Sequence, residues 1–135
     1  MAFMQWSDAL SVGIKEIDNQ HAQLVALINK LHEAMRSGKT KEALSEILKE
    51  LISYTGNHFA TEEKYFDQFK YEATATHKIE HKKLVQQVLD FQKQFESGKI
   101  SLSIDIMNFL GDWLKNHIQG TDKKYIACFQ KNGVK

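Results

Sequence analysis

HKIEHKKLVQQVLDFQKQF, residues 77–95, carries Leu84, Val88, Phe91 and Phe95 three or four residues apart. That spacing describes one face of an α-helix laid against a core. Followed back to the start of the segment, the same face holds His77 and His81. Burying a polar group without a partner costs roughly 1–3 kcal/mol, so a buried stripe that begins with two imidazoles needs a partner for them. HKIEH, 77–81, also fits the H-x-x-E-H pattern, in which two histidines hold zinc and the glutamate, here Glu80, acts as general base. The remaining histidines decide between these readings.

Working outward, the first helix is expected to start at Asp18, a good N-cap, and to stop before Gly38. The second runs from about Thr40 to Phe69, and Gly56 interrupts it at a cost of about 1 kcal/mol relative to alanine. The third starts after Thr74 and stops before Gly98. The fourth starts near Ser101 or Ser103 and runs to about Gln119, where Gly120 marks a break before a short helical tail from Thr121 to about Gln130. Residues 1–17 read as an irregular arm. Its Phe3, Met4, Trp6, Leu10, Val12, Ile14 and Ile17 fit no helical period and are expected to pack across the outside of the core. The connections are short, so consecutive helices should be antiparallel neighbours. The expected fold is all-α: an antiparallel up-down-up-down four-helix bundle with an irregular N-terminal arm and a short C-terminal helix. It forms a single domain over 1–135, with the arm at 1–17 and the bundle and tail at 18–130.

The totals agree with one core. The chain has 135 residues, 42% of them hydrophobic. Lys plus Arg number 18 and Asp plus Glu 17, for a net charge of +1 with no basic block, which gives no support for a nucleic-acid or anionic-membrane partner. Cys128 is the single cysteine, as suits a reducing compartment, and reads as a small packing residue. The start, MAFMQWSDALSVG, lacks a basic segment and carries Asp8 early, unlike a signal peptide. The longest apolar run, LVALI, is far short of a membrane span. The expectation is a soluble cytoplasmic monomer.

The inner faces contain more polar groups than a plain core allows. Helix one presents His21, Leu24, Ile28, Leu31 and Met35. Helix two presents Leu44, Leu48, Leu51, Thr55, His58, Glu62, Tyr65 and Phe69. Helix four presents Ile106, Leu110, Trp113 and His117. His21, His77 and His81 lie near helix starts, and His58, Glu62 and His117 near helix ends. In an antiparallel bundle those ends coincide, so five imidazoles and a carboxylate converge on one volume. Left unpaired they would consume a large part of a typical stability of about 5–15 kcal/mol. A metal ion is the common partner that suits them, since neutral imidazole is among the commonest metal ligands. His58 with Glu62, and His77 with His81, are four apart and share one helical face. Asp122 lies five after His117; a regular helix turns it away, and a loosened turn brings it back.

These residues carry a family resemblance. GIKEIDNQH (13–21), HFATEE (58–63), HKIEH (77–81) and HIQGTD (117–122), in that order and on a bundle of this length, resemble the bacterial hemerythrins along nearly the whole chain. The resemblance implies a non-haem di-iron centre that binds O2 reversibly. By position it implies that His77, His81 and His117 hold one iron and His21 and His58 the other. Glu62, Asp122 and an oxo or hydroxo group would bridge the two. With five histidines, two bridging carboxylates and one bridging oxygen, two six-coordinate irons keep one position free, on the iron of His21 and His58. A single small ligand, O2, fits there. Leu24, Phe59, Trp113, Leu114 and Ile118 are candidates for the O2 pocket wall.

Other polar residues have plainer expected roles. His32 reads as a surface residue, Asp18 as an N-cap and Tyr125 as a packing residue that could touch Asp122. Glu63 and Glu80 read as solvent-facing, with the option of orienting a histidine N–H.

Rival functions fit less well. A zinc hydrolase using His77, Glu80 and His81 leaves His21, His58, Glu62 and His117 buried without a role and has no substrate cleft. Di-iron oxidases use a Glu from each of two helices and Glu-x-x-His from two others, whereas here the pairs are His-x-x-x-Glu and His-x-x-x-His. An O2- or NO-sensing module would need a further segment to pass a signal, and an iron-storage module is kept as an alternative. The expected function is non-enzymatic: O2 transport, storage or local delivery to an oxygen-consuming enzyme.

Overall fold

The computed structural model describes residues 4–7, 10–99 and 104–133, the side chains at 104, 105 and 121 excepted. Phe3 and the expected fourth-helix starts at Ser101 and Ser103 lie outside the described residues. Five α-helices follow one another: α1 Lys15–Arg36, α2 Lys41–Phe69, α3 Thr74–Glu96, α4 Ile104–Asn116 and the short α5 Ile126–Lys131. No strand occurs among the described residues, and no helix is long and apolar enough to cross a membrane.

Cross-helix ties show the antiparallel arrangement. Gln20, early in α1, meets Thr61, late in α2. Lys41 at the start of α2 donates to the Glu96 carbonyl at the end of α3. Glu63 near the end of α2 meets His81 near the start of α3, and Glu80 on α3 meets His117 just past α4. The starts of α1 and α3 and the ends of α2 and α4 therefore share one end of the bundle. The other end and the middle are filled by Leu24, Ile28 and Leu31, by Leu44, Leu48 and Leu51, by Val88, Phe91 and Phe95, and by Met107, Leu110 and Leu114.

Helix ends follow local chemistry with one exception. Thr40 caps α2 by accepting from the Ala43 amide. Gly38 and Gly98, with φ of 72° and 83°, follow α1 and α3 in the left-handed region that glycine enters without a steric penalty. The exception is Asp18. It is not the N-cap of α1, which begins three residues earlier, after Ile14. Burial of Ile14 and Ile17 sets that start. The Asp18 carboxylate instead accepts from the Val12 amide at 2.8 Å and the Ser11 hydroxyl at 2.6 Å, tying the arm to the first turn. The arm also does more than lie across the outside: Leu10, Val12 and Ile14 are buried core members, whereas Trp6 is exposed. Asn29 clamps Met4 by accepting from its amide and donating to its carbonyl.

Two inner faces are rotated from expectation. On α2 the stripe passes from Glu62 to Phe66, which is fully buried, while Tyr65 and Phe69 are half-buried. The Tyr65 hydroxyl is drawn outward to Glu16, to which it donates at 2.6 Å. On α4 the buried residues are Met107, Leu110 and Leu114, with Ile106 and Trp113 half-buried. Met35, Leu84, His32 and Cys128 are also half-buried.

Gly120 is not a break. The chain keeps coiling through one wide π-helical turn, His117–Thr121, then a 3-10 turn, Asp122–Tyr125, before α5. The Asp122 amide donates to the carbonyl of His117, five residues back, as a π turn requires.

Candidate metal centre

The π turn completes a cluster begun by the helices. His21 comes from α1, His58 and Glu62 from α2, His77 and His81 from α3, His117 from the π turn and Asp122 from the 3-10 turn. All seven are buried, none with more than 3% of its surface exposed. Their donor atoms form two sets. Glu62, His77, His81, His117 and Asp122 make one, His21, His58, Glu62 and Asp122 the other, and within each set all donors lie within 4.8 Å of one another. The residues common to both are the two carboxylates. Asp122 divides its oxygens, Oδ2 lying 3.1 Å from His21 Nε2 and Oδ1 3.1 Å from His77 Nε2 and 3.0 Å from His117 Nε2. Glu62 Oε1 lies 3.3 Å from Nε2 of both His58 and His81.

These close approaches are not hydrogen bonds. All five Nε2 atoms, Glu62 Oε1 and both Asp122 oxygens are buried without a hydrogen-bond partner, although such groups are rarely left unpaired in native proteins. Distances are short while the angles miss. Ligand atoms behave this way when they aim at a common ion and not at each other. Donors about 2.1 Å from a six-coordinate ion and at right angles lie about 3.0 Å apart, against about 3.4 Å around a tetrahedral one. The Asp122 spacings of 3.0–3.1 Å sit nearer the six-coordinate value and the Glu62 spacings of 3.3 Å nearer the tetrahedral one, and the nitrogen and carboxylate donors suit a divalent transition metal. The residues fit a pair of metal ions with shared carboxylates.

Outer hydrogen bonds set which imidazole nitrogen is free. His58 Nδ1 lies 2.6 Å from Gln20 Oε1, and Gln20 Nε2 donates to Thr61 Oγ1, so the amide oxygen faces the ring. An amide oxygen only accepts; Nδ1 therefore carries the proton and Nε2 offers its lone pair to the cluster. The His81 and His117 rings are held likewise by Glu63 at 3.0 Å and Glu80 at 2.8 Å. Glu80 thus lies on the far side of the His117 ring from the cluster, not poised as a base between His77 and His81. Both glutamates are half-exposed and do orient histidines. His21 Nδ1 is buried without a partner among the described residues. Tyr125, fully buried, does not serve Asp122: its hydroxyl donates to Glu62 Oε2 at 2.5 Å.

Burial shapes the charges. It pushes His58 well down, with His21 adding to the effect, and lowers His81 to about 4 despite the Glu63 hydrogen bond. Burial also works against the charge on His117, but Asp122 and then Glu80 outweigh it and raise that imidazole to about 10. Burial and the neighbouring Asp122 push Glu62 up to about 8. Asp122 resists its own burial because His117, with His21 and His77 beside it, holds it well below the carboxylate range. Without metal these shifts favour an Asp122–His117 ion pair and a protonated Glu62.

Apolar groups close the site. Phe59 stacks on His81 with ring centres 3.8 Å apart and also lies against His58, His117 and Trp113. Leu24, Leu114 and Ile118 are fully buried, Leu24 and Leu114 each one turn from a cluster histidine and Ile118 beside His117. Trp113 is half-buried and stacks on His117 at 6.3 Å. Phe66, absent from the expected inner face, packs on His77 at 4.6 Å.

Comparison with known proteins agrees with this geometry. A family model described as the hemerythrin HHE cation binding domain matches residues 12–129. A bacteriohemerythrin of Methylococcus capsulatus is 37% identical over 129 residues, covering 95% of this chain and 98% of that one. One of Pseudomonas aeruginosa is 36% identical over 126 residues, covering 93% and 81%. A solved wild-type hemerythrin matches with a TM-score of 0.89 at 36% identity, over 94% of this chain and 98% of the other. With the family model spanning most of its length and a buried histidine–carboxylate cluster built on the same bundle, the chain belongs to the hemerythrin family.

Proposed function

We propose that this protein binds O2 reversibly at a non-haem di-iron centre, as a carrier, store or local source of O2 and not as an enzyme. The supporting observation is the unequal pair of donor sets, three histidines in one and two in the other, joined by Glu62 and Asp122. In this reading His77, His81 and His117 would hold one iron, His21 and His58 would hold the other, and Glu62 and Asp122 would be shared by both. A ferrous pair held there would supply electrons and an open coordination position for O2.

The protein's own part is to fix donors and keep water out. Burial of His58 and His81 favours the neutral imidazoles that bind metal. Gln20, Glu63 and Glu80 hold three rings with Nε2 inward. Leu24, Phe59, Leu114 and Ile118 offer no group able to donate or take a proton, which suits a carrier that must return its ligand unchanged. Trp113 completes the proposed wall.

Iron analysis and visible spectroscopy test the proposal together. Two irons per chain, and a visible band that appears with air and disappears on deoxygenation, are expected. One zinc per chain, or iron-loaded protein with no reversible band, would overturn it.

A further inference from the structure

The two halves of the cluster differ in the groups behind their histidines. In the three-histidine half, His81 and His117 each give an Nδ1 proton to a carboxylate, Glu63 and Glu80. In the two-histidine half, His58 gives its proton to the neutral amide of Gln20, and His21 Nδ1 has no partner among the described residues. Each glutamate neighbours a cluster residue in the chain yet serves a histidine on another segment. Glu63 follows Glu62 but holds His81, and Glu80 precedes His81 but holds His117. An anionic acceptor draws the Nδ1 proton away from the ring and makes Nε2 a stronger donor than an amide does. Stronger donors favour the more highly charged metal ion.

We propose that Glu63 and Glu80 are positioning residues that bias the centre electronically, making the three-histidine half the better stabiliser of ferric iron. The Gln20 amide, and a His21 Nδ1 that has no partner among the described residues, leave the two-histidine half the weaker donor. This inference rests on the di-iron reading above. The asymmetry lies in residues that never touch metal, so it can be altered without removing a ligand.

The test uses the full-length iron-loaded protein and its variants E63Q, E80Q, E63A and Q20E. Iron content and midpoint potential are measured by spectroelectrochemical titration without O2. Glutamine keeps an acceptor oxygen on the histidine while removing the charge; alanine removes both. Removing an outer partner of this kind typically costs about 10- to 100-fold in metal affinity, and under the proposal the loss falls on the ferric ion. A tenfold change in ferric-over-ferrous preference is about 59 mV for one electron. E63Q and E80Q should each raise the midpoint by about that much, and Q20E should lower it. If the glutamates merely orient the rings, E63Q will match the wild type and only E63A will differ, which overturns the proposal. A rise or no change in Q20E also overturns it, even if the other variants fail to hold iron. Fewer than two irons in the wild type overturns the di-iron reading and this inference with it. Unchanged midpoints with two irons bound overturn this inference alone.

Discussion

Asp122 Oδ1 lies 3.0 Å from His117 Nε2 although the two residues are five apart, an offset that a regular α-helix would place about 140° around its axis. The wider π turn narrows that offset, and it lets Asp122 reach His21 and His77 as well. Asp122→Ala should therefore harm both metal positions at once. Iron measured after loading and desalting should fall below two per chain. Full retention of both irons with an unaltered spectrum would remove Asp122 from the bridge.

The buried histidine–carboxylate cluster was legible because it follows from rules local to each segment. HKIEH and HFATEE put donors four apart on a helix, and the helix ends put them at one depth. Asp122 was legible only as a conditional, since nothing in HIQGTD states that the turn widens. Gln20 and Phe66 were given no role, and Tyr125 was read as a packing residue with Asp122 and not Glu62 as its possible contact, because each role depends on how one helix is rotated against another. Tyr125 reaches Glu62 across 63 residues of chain, and no spacing encodes that. The one-position rotations of α2 and α4 arise from the same cause: period identifies an inner stripe, while packing chooses among adjacent stripes. Asp18 misled as an N-cap because burial of Ile14 and Ile17 outweighed the capping preference.

Metal uptake should release protons. In the metal-free protein Glu62, pushed up to about 8, and His117, raised to about 10, both hold a proton at pH 7. A metal ligand must shed it. Titration of Fe(II) into metal-free protein at pH 7, without O2, should release about two protons from these groups and one more from the water that would supply a hydroxo bridge, read as the dependence of calorimetric heat on buffer ionisation enthalpy. Release of one proton or none would mean that Glu62 and His117 are already deprotonated.

Stability of the metal-free protein should peak near pH 6.5. Above that pH the unfolded chain has released the His117 and Glu62 protons, whose ordinary values are 6.5 and 4.5, while the folded protein keeps them to about 10 and about 8. The stabilisation they give is therefore lost as pH rises. Below pH 6.5 the unfolded chain takes up protons on His58 and His81. Burial prevents this in the folded protein, down to about pH 4 for His81. The proton kept on Glu62 offsets only one of those two, so stability falls again as pH drops. Thermal midpoints of chelator-treated protein across this range provide the check, and a steady rise through pH 8 would contradict it.

Tyr125→Phe removes one hydroxyl and keeps the ring that stacks on Phe129 at 4.4 Å. The partner oxygen, Glu62 Oε2, is buried and has this hydroxyl 2.5 Å away. Leaving it unsatisfied should cost about 1–3 kcal/mol, seen as a lower denaturant midpoint of the metal-free protein with an unchanged slope. Equal stability would show that Glu62 finds another donor.

Leu114 is fully buried and one helical turn before His117, which is why the proposed apolar lining includes it with Leu24, Phe59 and Ile118. A dry lining disfavours the departure of a charged, reduced form of O2, which is the event that leaves oxidised iron behind. Leu114→Asn keeps the branched shape and the number of side-chain heavy atoms while adding a donor and an acceptor. One new hydrogen bond is worth about 0.5–1.5 kcal/mol, so autoxidation, followed as decay of the oxygenated absorption band, should accelerate roughly two- to tenfold. Leu114→Met, apolar and of similar size, should leave the rate near that of the wild type. Equal rates in the Asn variant would place Leu114 outside the pocket, whereas equal acceleration in both would assign the effect to packing and not to polarity.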